Sequence, residues 1–235
     1  MSTHPHTAMI LAAGLGQRMR PLTITTPKPL LKVAGRPIID YGLDHLKAAG
    51  VKQAVVNKHY LPDQIESWAK SVRGLTMLVS DETDALLETG GGIVHALPLL
   101  GGDPFYVINS DCFWIDQGTP ALQRLAARWS DAEMDCLLLL CDPKQTTGYR
   151  GNGDFEISND GRLSRNRTNG LVYICGYIVH PRLFNGISQG AFSMNILWDK
   201  AIVQGRLFGL AHTGHWLDIG TPAALDLAET YLKRA

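Results

Sequence analysis

The chain has 235 residues, of which 45% are apolar and 19% charged, values typical of a folded domain and not of a disordered segment. Its 22 basic and 22 acidic residues cancel, so the basic excess expected of a duplex-binding protein is absent and no nucleic-acid partner is expected. The first apolar stretch, Ala8–Ala13, is too short for a secretory core or a membrane span and has no basic residue ahead of it, which predicts a cytoplasmic chain with no membrane partner.

Taken in chain order, short apolar runs alternate with amphipathic stretches. Ala8–Ala13 reads as a buried strand ending in glycines. Pro37–Ala49 reads as a helix, with Ile38, Ile39, Leu43 and Leu46 at helical spacing, Pro37 in the first turn and Gly50 at the exit. A strand at Gln53–Asn57, a helix at Pro62–Lys70 and a strand at Leu75–Val79 follow. Next come a helix at Gly92–Leu100 and a strand at Phe105–Ile108 that runs into Asn109-Ser110-Asp111. This alternation predicts a parallel sheet with helices on both faces and ligands outside the carboxyl ends of the strands.

The second half is less regular. It offers a helix at Thr119–Trp129, strands at Asp135–Cys141, Asp154–Ile157 and Leu171–Val179, a helix at Met194–Gln204, a strand at Arg206–Ala211 and a closing helix at Thr221–Lys233. The four cysteines show no Cys-x-x-Cys spacing and are expected as buried free thiols, in keeping with a reducing compartment.

Chemistry concentrates first in Leu11-Ala12-Ala13-Gly14-Leu15-Gly16-Gln17-Arg18-Met19-Arg20-Pro21-Leu22-Thr23, followed by Pro27-Lys28-Pro29. Glycines let the backbone turn and approach a ligand, and successive loop N–H groups make an anion-binding concavity. Arg18 adds a planar fork for phosphate oxygens, and Lys28 a compact charge on a stiff stem. Neither the P-loop nor the complete dinucleotide fingerprint is present. Asp111, after an apolar strand, and Asp218, in Trp216-Leu217-Asp218-Ile219-Gly220-Thr221-Pro222, are candidate carboxylates for a cation. Their separation in sequence leaves open whether they meet. Asn57, at a strand end, is read either as a ligand contact or as a turn residue.

The loop run resembles the signature of the sugar-1-phosphate nucleotidyltransferases. The resemblance continues through Gly35-Arg36-Pro37-Ile38-Ile39, Glu88-Thr89-Gly90-Gly91-Gly92, Asn109-Ser110-Asp111, Gly153-Asp154 and the segment after Asp218. It implies a Rossmann-like α/β/α sandwich with a mostly parallel central sheet, the nucleotide-diphospho-sugar transferase fold. One domain spanning 1–235 would comprise a nucleotide lobe, about 7–115 plus 205–235, and a sugar lobe, about 116–204.

The resemblance also implies site roles. Arg18 and Lys28 would be the catalytic cations. Leu11, Ala13, Gly14, Gly16, Asn57, Glu88, Gly90, Gly91 and Asp111 would contact the nucleotide, with base recognition at Glu88–Gly92. Asp111 and Asp218 would hold Mg²⁺. Gly153, Asp154, Arg165, Asn169 and Asn195 are the candidates for the sugar, and Arg165 and Arg167 in the basic loop suit a carboxylate-bearing sugar.

More narrowly, Leu87-Glu88-Thr89-Gly90-Gly91-Gly92 in a short chain resembles the N-acetylmuramate 1-phosphate uridylyltransferases of bacterial cell-wall recycling, which implies UTP as donor and a monomer or homodimer. A guanylyltransferase for mannose or heptose phosphate, a non-catalytic nucleotide-sugar sensor and a phosphoalcohol cytidylyltransferase remain as rivals.

Overall fold

The computed structural model describes residues 4–234. Fourteen strands are numbered in chain order: β1 (Thr7–Leu11), β2 (Lys32–Val33), β3 (Arg36–Pro37), β4 (Gln53–Lys58), β5 (Thr76–Asp81), β6 (Phe105–Asn109), β7 (Cys112–Ile115), β8 (Cys136–Cys141), β9 (Thr146–Thr147), β10 (Phe155–Ile157), β11 (Leu163–Arg165), β12 (Val172–Val179), β13 (Leu207–Ala211) and β14 (His215–Asp218). The helices are α1 (Ile38–Ala48), α2 (Pro62–Ser71), α3 (Glu88–Leu100), α4 (Ala121–Arg128), α5 (Met194–Val203) and α6 (Pro222–Leu232).

Seven strands form the central sheet in the order β13-β8-β12-β6-β1-β4-β5. Strand periodicity explains how both faces are covered. Ala8 and Ile10 of β1, Ala54 and Val56 of β4, and Tyr106 and Ile108 of β6 pack with Leu43 and Leu46 of α1, Trp68 of α2 and Leu125 of α4. Their neighbours Met9, Val55, Phe105 and Val107 turn the other way, against Ile93 and Ala96 of α3 and Leu197 and Trp198 of α5.

The sheet is mostly parallel, as expected, and β12 runs antiparallel to both β8 and β6. A parallel return from β8 needs a crossover, usually helical. Here the 142–171 connection instead forms β9 and the small β10–β11 ladder, so the chain comes back in the opposite sense.

From β1 the chain steps outward through β4 to β5, then returns through α3 to β6 on the other side of β1. The carboxyl ends of β1 and β6 therefore flank a topological switch point, where open α/β sheets bind ligands. A second sheet, β7-β14-β9, sits beside this edge. With α6 and the glycine loop it encloses a further apolar cluster of Met19, Leu31, Ile38, Phe113, Leu217 and Ile219.

The thiol expectation holds for Cys136 and Cys141, both buried and free. It fails for Cys112 and Cys175, which pair as a disulfide between β7 and β12. Cys175 lies in the irregular stretch of β12 between Tyr173 and Tyr177, with φ +70°, and there the strand reaches toward β7.

Candidate active site

β1 ends at Leu11 and delivers a loop whose shape is set by a few contacts. Gly16 has φ +60°, and a Cβ there would lie 3.0 Å from Thr23 Cγ2 and 3.2 Å from Lys28 Cβ. The conformation and the crowding together require glycine. The buried Thr23 hydroxyl donates to the Gly16 carbonyl at 2.8 Å, tying the loop to the turn that carries Pro21-Leu22. Pro27 and Pro29 bracket Lys28 in a 3₁₀ turn, Lys28–Leu30. Lys28 is only 7% exposed, and its Nζ donates to Asp111 Oδ2 at 2.7 Å. A cation so held has little rotational freedom left to lose on meeting a phosphate, which favours it as a fixed electrostatic partner.

The short sheet answers how the two aspartates meet. β7 and β14 pair antiparallel, with Cys112 opposite Asp218. Asp111 immediately precedes Cys112, so both carboxylates arrive at one end of one ladder. The Asp218 carboxyl is pushed above its ordinary value, first by burial and then by repulsion from Asp111, while Lys28 and Arg18 pull it back. A Cβ at Gly220 would lie 3.4 Å from Arg18 Nη1 and 3.6 Å from Asp218 Oδ1. Arg18, Lys28, Asp111 and Asp218 thus form one electrostatic cluster.

Two carboxylates crowded together make a hard oxygen donor set, which suits a hard divalent cation. Gly148 supports the arrangement: with φ +88°, it backs onto the Asp218 carbonyl, which a Cβ would meet at 2.1 Å. Nothing in the sequence pattern marked Gly148.

Asn57 is 2% exposed and does more than end a strand. Its Oδ1 accepts from the Ala12 N–H at 2.6 Å and its Nδ2 donates to Glu82 Oε1 at 2.8 Å. The Ser110 hydroxyl donates to the Leu11 carbonyl at 2.5 Å, locking β6 to β1 just before Asp111.

The glycine cluster at 90–92 differs from expectation in its local structure. α3 begins at Glu88, four residues before the expected start, so all three glycines lie within its first turns. All three are buried. A Cβ at Gly90 would lie 2.2 Å from the Phe192 ring, at Gly91 2.0 Å from the Gly190 carbonyl oxygen, and at Gly92 2.7 Å from Glu82 Oε1. The Phe192 carbonyl accepts from the N–H groups of Gly90 and Gly91, capping the helix start. What the sequence presents as a surface for a flat base is filled, at Gly90 and Gly91, by the 190–192 segment. Glu88 (φ +59°) and Thr89 line the cavity instead.

The expected sugar residues gather elsewhere. Gly153 (φ +97°) packs against the Gly170 carbonyl, and Asp154 Oδ2 accepts from the Tyr173 N–H at 3.0 Å. Arg165 and Asn195 hold one another: the Arg165 Nη2 donates to Asn195 Oδ1 at 2.9 Å and its Nε to Asp199 Oδ1 at 2.8 Å, while its guanidinium covers the Phe155 ring. Ser193 caps α5, accepting from the Asn195 N–H. Asn169 lies exposed in the turn that Asn166 organises.

A cavity of about 570 Å³ opens at the carboxyl ends of β1 and β6. Leu11, Ala13, Gly14, Gly16, Arg18, Lys28, Asn57, Glu88 and Asp111 all line it, with Gln17, Thr89, Ser110 and Ser193 as further polar walls. Gly90, Gly91, Asp218 and the five sugar candidates lie outside this wall.

The comparisons agree with the geometry. The fold matches solved structures at high coverage: a UDP-glucose pyrophosphorylase complexed with UDP-glucose (TM-score 0.80, 18% identity, 98% of this chain and 100% of that one) and a putative glucose-1-phosphate thymidylyltransferase from Bacillus anthracis (TM-score 0.79, 18% identity, 97% and 96%). At such identity the likeness carries the fold alone. Among curated proteins, the chain is 43% identical to the N-acetylmuramate alpha-1-phosphate uridylyltransferase of Caulobacter vibrioides, over 100% of both chains. It is 40% identical to the enzyme of that name from Neisseria meningitidis, over 94% of this chain and 96% of that one. It is 29% identical to the mannose-1-phosphate guanylyltransferase catalytic subunit beta of Drosophila melanogaster, spanning 59% of that protein. The nucleotidyl transferase family model matches residues 7–166, the stretch that holds the loop, Lys28, Asn57 and Asp111. With its cation-lined switch-point cavity and full-length relatives, the chain belongs to the nucleotidyl transferase family and is an enzyme of the sugar-1-phosphate nucleotidyltransferase class.

Proposed function

We propose that the chain transfers UMP from UTP to N-acetylmuramate 1-phosphate, with Mg²⁺, in the cytoplasmic recycling of cell-wall sugars. The observation that carries the chemistry is the convergence of Arg18, Lys28 and Asp111 in the wall of the glycine-loop cavity, with Asp218 coupled electrostatically to all three just behind that wall. The choice of substrate rests on the two full-length relatives of that name.

A sugar-phosphate oxygen attacks the α-phosphorus of the nucleotide. A new P–O bond forms as the α–β bridge breaks, and pyrophosphate leaves with the bond's electron pair. The attacking oxygen is already anionic, so no side chain need remove a proton. Lys28 neutralises charge gathering on the α-phosphate, and Arg18 with the loop amides holds the departing phosphates. Catalysis is then positioning and electrostatics. Asp111 and Asp218 would hold the cation, which when bound neutralises phosphate charge and orients the oxygens. In this reading Asp154 and Arg165, on the 116–204 side, belong to the sugar's surroundings.

A pyrophosphate-release screen tests the proposal: four nucleoside triphosphates against sugar 1-phosphates including N-acetylmuramate, N-acetylglucosamine, glucose and mannose, with Mg²⁺ and with a chelator. The expected result is a chelator-sensitive signal for UTP with N-acetylmuramate 1-phosphate. A signal only for GTP with mannose 1-phosphate overturns the substrate assignment and keeps the chemistry.

A further inference from the structure

Three residues stand side by side at the carboxyl edge of β1, β4 and β5: Ala12 just past β1, Asn57 within β4 and Glu82 just past β5. They form an unbroken chain of hydrogen bonds across the strands, Ala12 N–H to Asn57 Oδ1 at 2.6 Å and Asn57 Nδ2 to Glu82 Oε1 at 2.8 Å. Asn57 and Glu82 are 2% and 3% exposed. α3 closes over the pair, since a Cβ at Gly92 would fall 2.7 Å from Glu82 Oε1 and 3.0 Å from Asn57 Nδ2. This contact accounts for the third glycine of the cluster.

We propose that Glu82 is a positioning residue for the nucleotide loop. An asparagine amide offers an acceptor on one side and a donor on the other, and isolated it can flip. If flipped, Asn57 would turn its NH₂ toward the Ala12 N–H, donor against donor, and release the loop's first fixed point. Glu82 forbids the flip because the carboxylate oxygen facing Asn57 only accepts. The relay holds Asn57 on both sides of its amide, which fixes the amide's orientation, while Glu82 Oε2 is buried without a hydrogen-bond partner among the described residues. Glu82 does not line the cavity, so its effect reaches the nucleotide through Asn57 and Ala12, both of which do. Ala12 leads directly into Ala13 and Gly14, so the relay sets how the loop meets the phosphates. The proposal rests on the reading of this cavity as the nucleotide site.

The test measures KM for UTP and kcat separately, alongside melting temperature, by pyrophosphate release from the full chain. Glu82→Met removes the acceptor at similar volume. It is expected to raise KM for the nucleotide about tenfold, the equivalent of one hydrogen bond, with kcat within about threefold. Glu82→Gln, which still presents an acceptor to Asn57, is expected to restore a near-native KM. Asn57→Asp sets two buried acceptors face to face and should raise KM at least as much. The double variant Asn57→Asp with Glu82→Gln restores complementarity, because the glutamine NH₂ then donates to the new carboxylate, and should recover most of the loss. A native KM in Glu82→Met, or a double variant no better than Asn57→Asp alone, would overturn the relay. A change confined to melting temperature would overturn it too, leaving only a packing role. An inactive wild-type enzyme on every nucleotide would instead sink the functional reading beneath it, so the two failures are distinguishable.

Discussion

Gly91→Ala separates the packing reading of the 90–92 cluster from a ligand-facing one. On helix propensity alone the change should stabilise α3, by about 1 kcal/mol. Geometry opposes it. The new Cβ would sit 2.0 Å from the Gly190 carbonyl oxygen, whereas an ordinary C···O approach is about 3.3–3.6 Å. The obstacle is backbone, so either α3 or the 190–192 segment must move by more than about 1 Å. Moving that segment strains both Phe192 carbonyl bonds to the helix start, at about 1 kcal/mol each, and overpacking of this sort costs about 1–3 kcal/mol. The net expectation is a loss of about 2–4 kcal/mol, or roughly 4–16 °C in melting temperature for a chain of this length. Gly14→Ala is the internal control. Its Cβ meets no described atom within 4 Å, its φ is not positive, and it lines the cavity. It should melt with the wild type yet bind nucleotide more weakly. Differential scanning fluorimetry and nucleotide KM on both variants decide the matter. A Gly91→Ala protein that melts at or above the wild-type temperature would refute the packing argument.

Two further outcomes follow from the site. Lys28→Ala should lower kcat by about 10²–10³, the usual cost of one preorganised charge donor, and lower stability only slightly, because the Asp111 side chain it leaves is 41% exposed and can rehydrate; turnover within tenfold of wild type would contradict the role given to Lys28. Burial raises the Glu82 carboxyl above its ordinary 4.5, against the Asn57 bond, the Leu87 amide and the nearby His95 and His59. Between those two values the folded chain holds a proton that the unfolded chain has lost, so this group's contribution to stability falls as pH rises through the window and stays low above it. Glu82→Gln cannot titrate. Its stability relative to wild type, followed by chemical denaturation, should therefore grow with pH and then level off, and a pH-independent difference would refute the argument.

Local signals carried most of the fold. Helices with clear periodicity, such as α1 and α2, and strands bounded by glycine or polar turns lie within one or two residues of their expected limits. The strand β14 was not separable from the helix start after it, because four residues hold too little pattern. The reversal of β12 was illegible for another reason: strand direction is fixed by the connection, and the 142–171 segment has no periodicity to show whether it crosses over. Arg18 and Lys28 could be named from a motif because glycine and proline, whose backbone meaning is local, stand close to them, and Asp111 because it follows an apolar strand. Glu82 and Gly148 could not, since their significance comes from partners on other strands. The glycines at 90–92 teach the same lesson in reverse. Sequence reveals that a backbone surface is being kept bare, but only the fold tells whether a ligand or another stretch of the same chain occupies it.

The β7–β14 ladder also sets an order of events during synthesis. The glycine loop, Lys28, Asn57 and Asp111 all leave the ribosome within the first half of the chain, which also holds the four contiguous parallel strands β6-β1-β4-β5. Asp218 comes 107 positions after Asp111 (218 − 111) and is seated by pairing with a strand made long before. A nascent chain can thus own its phosphate loop and yet lack half of the carboxylate pair proposed for the cation.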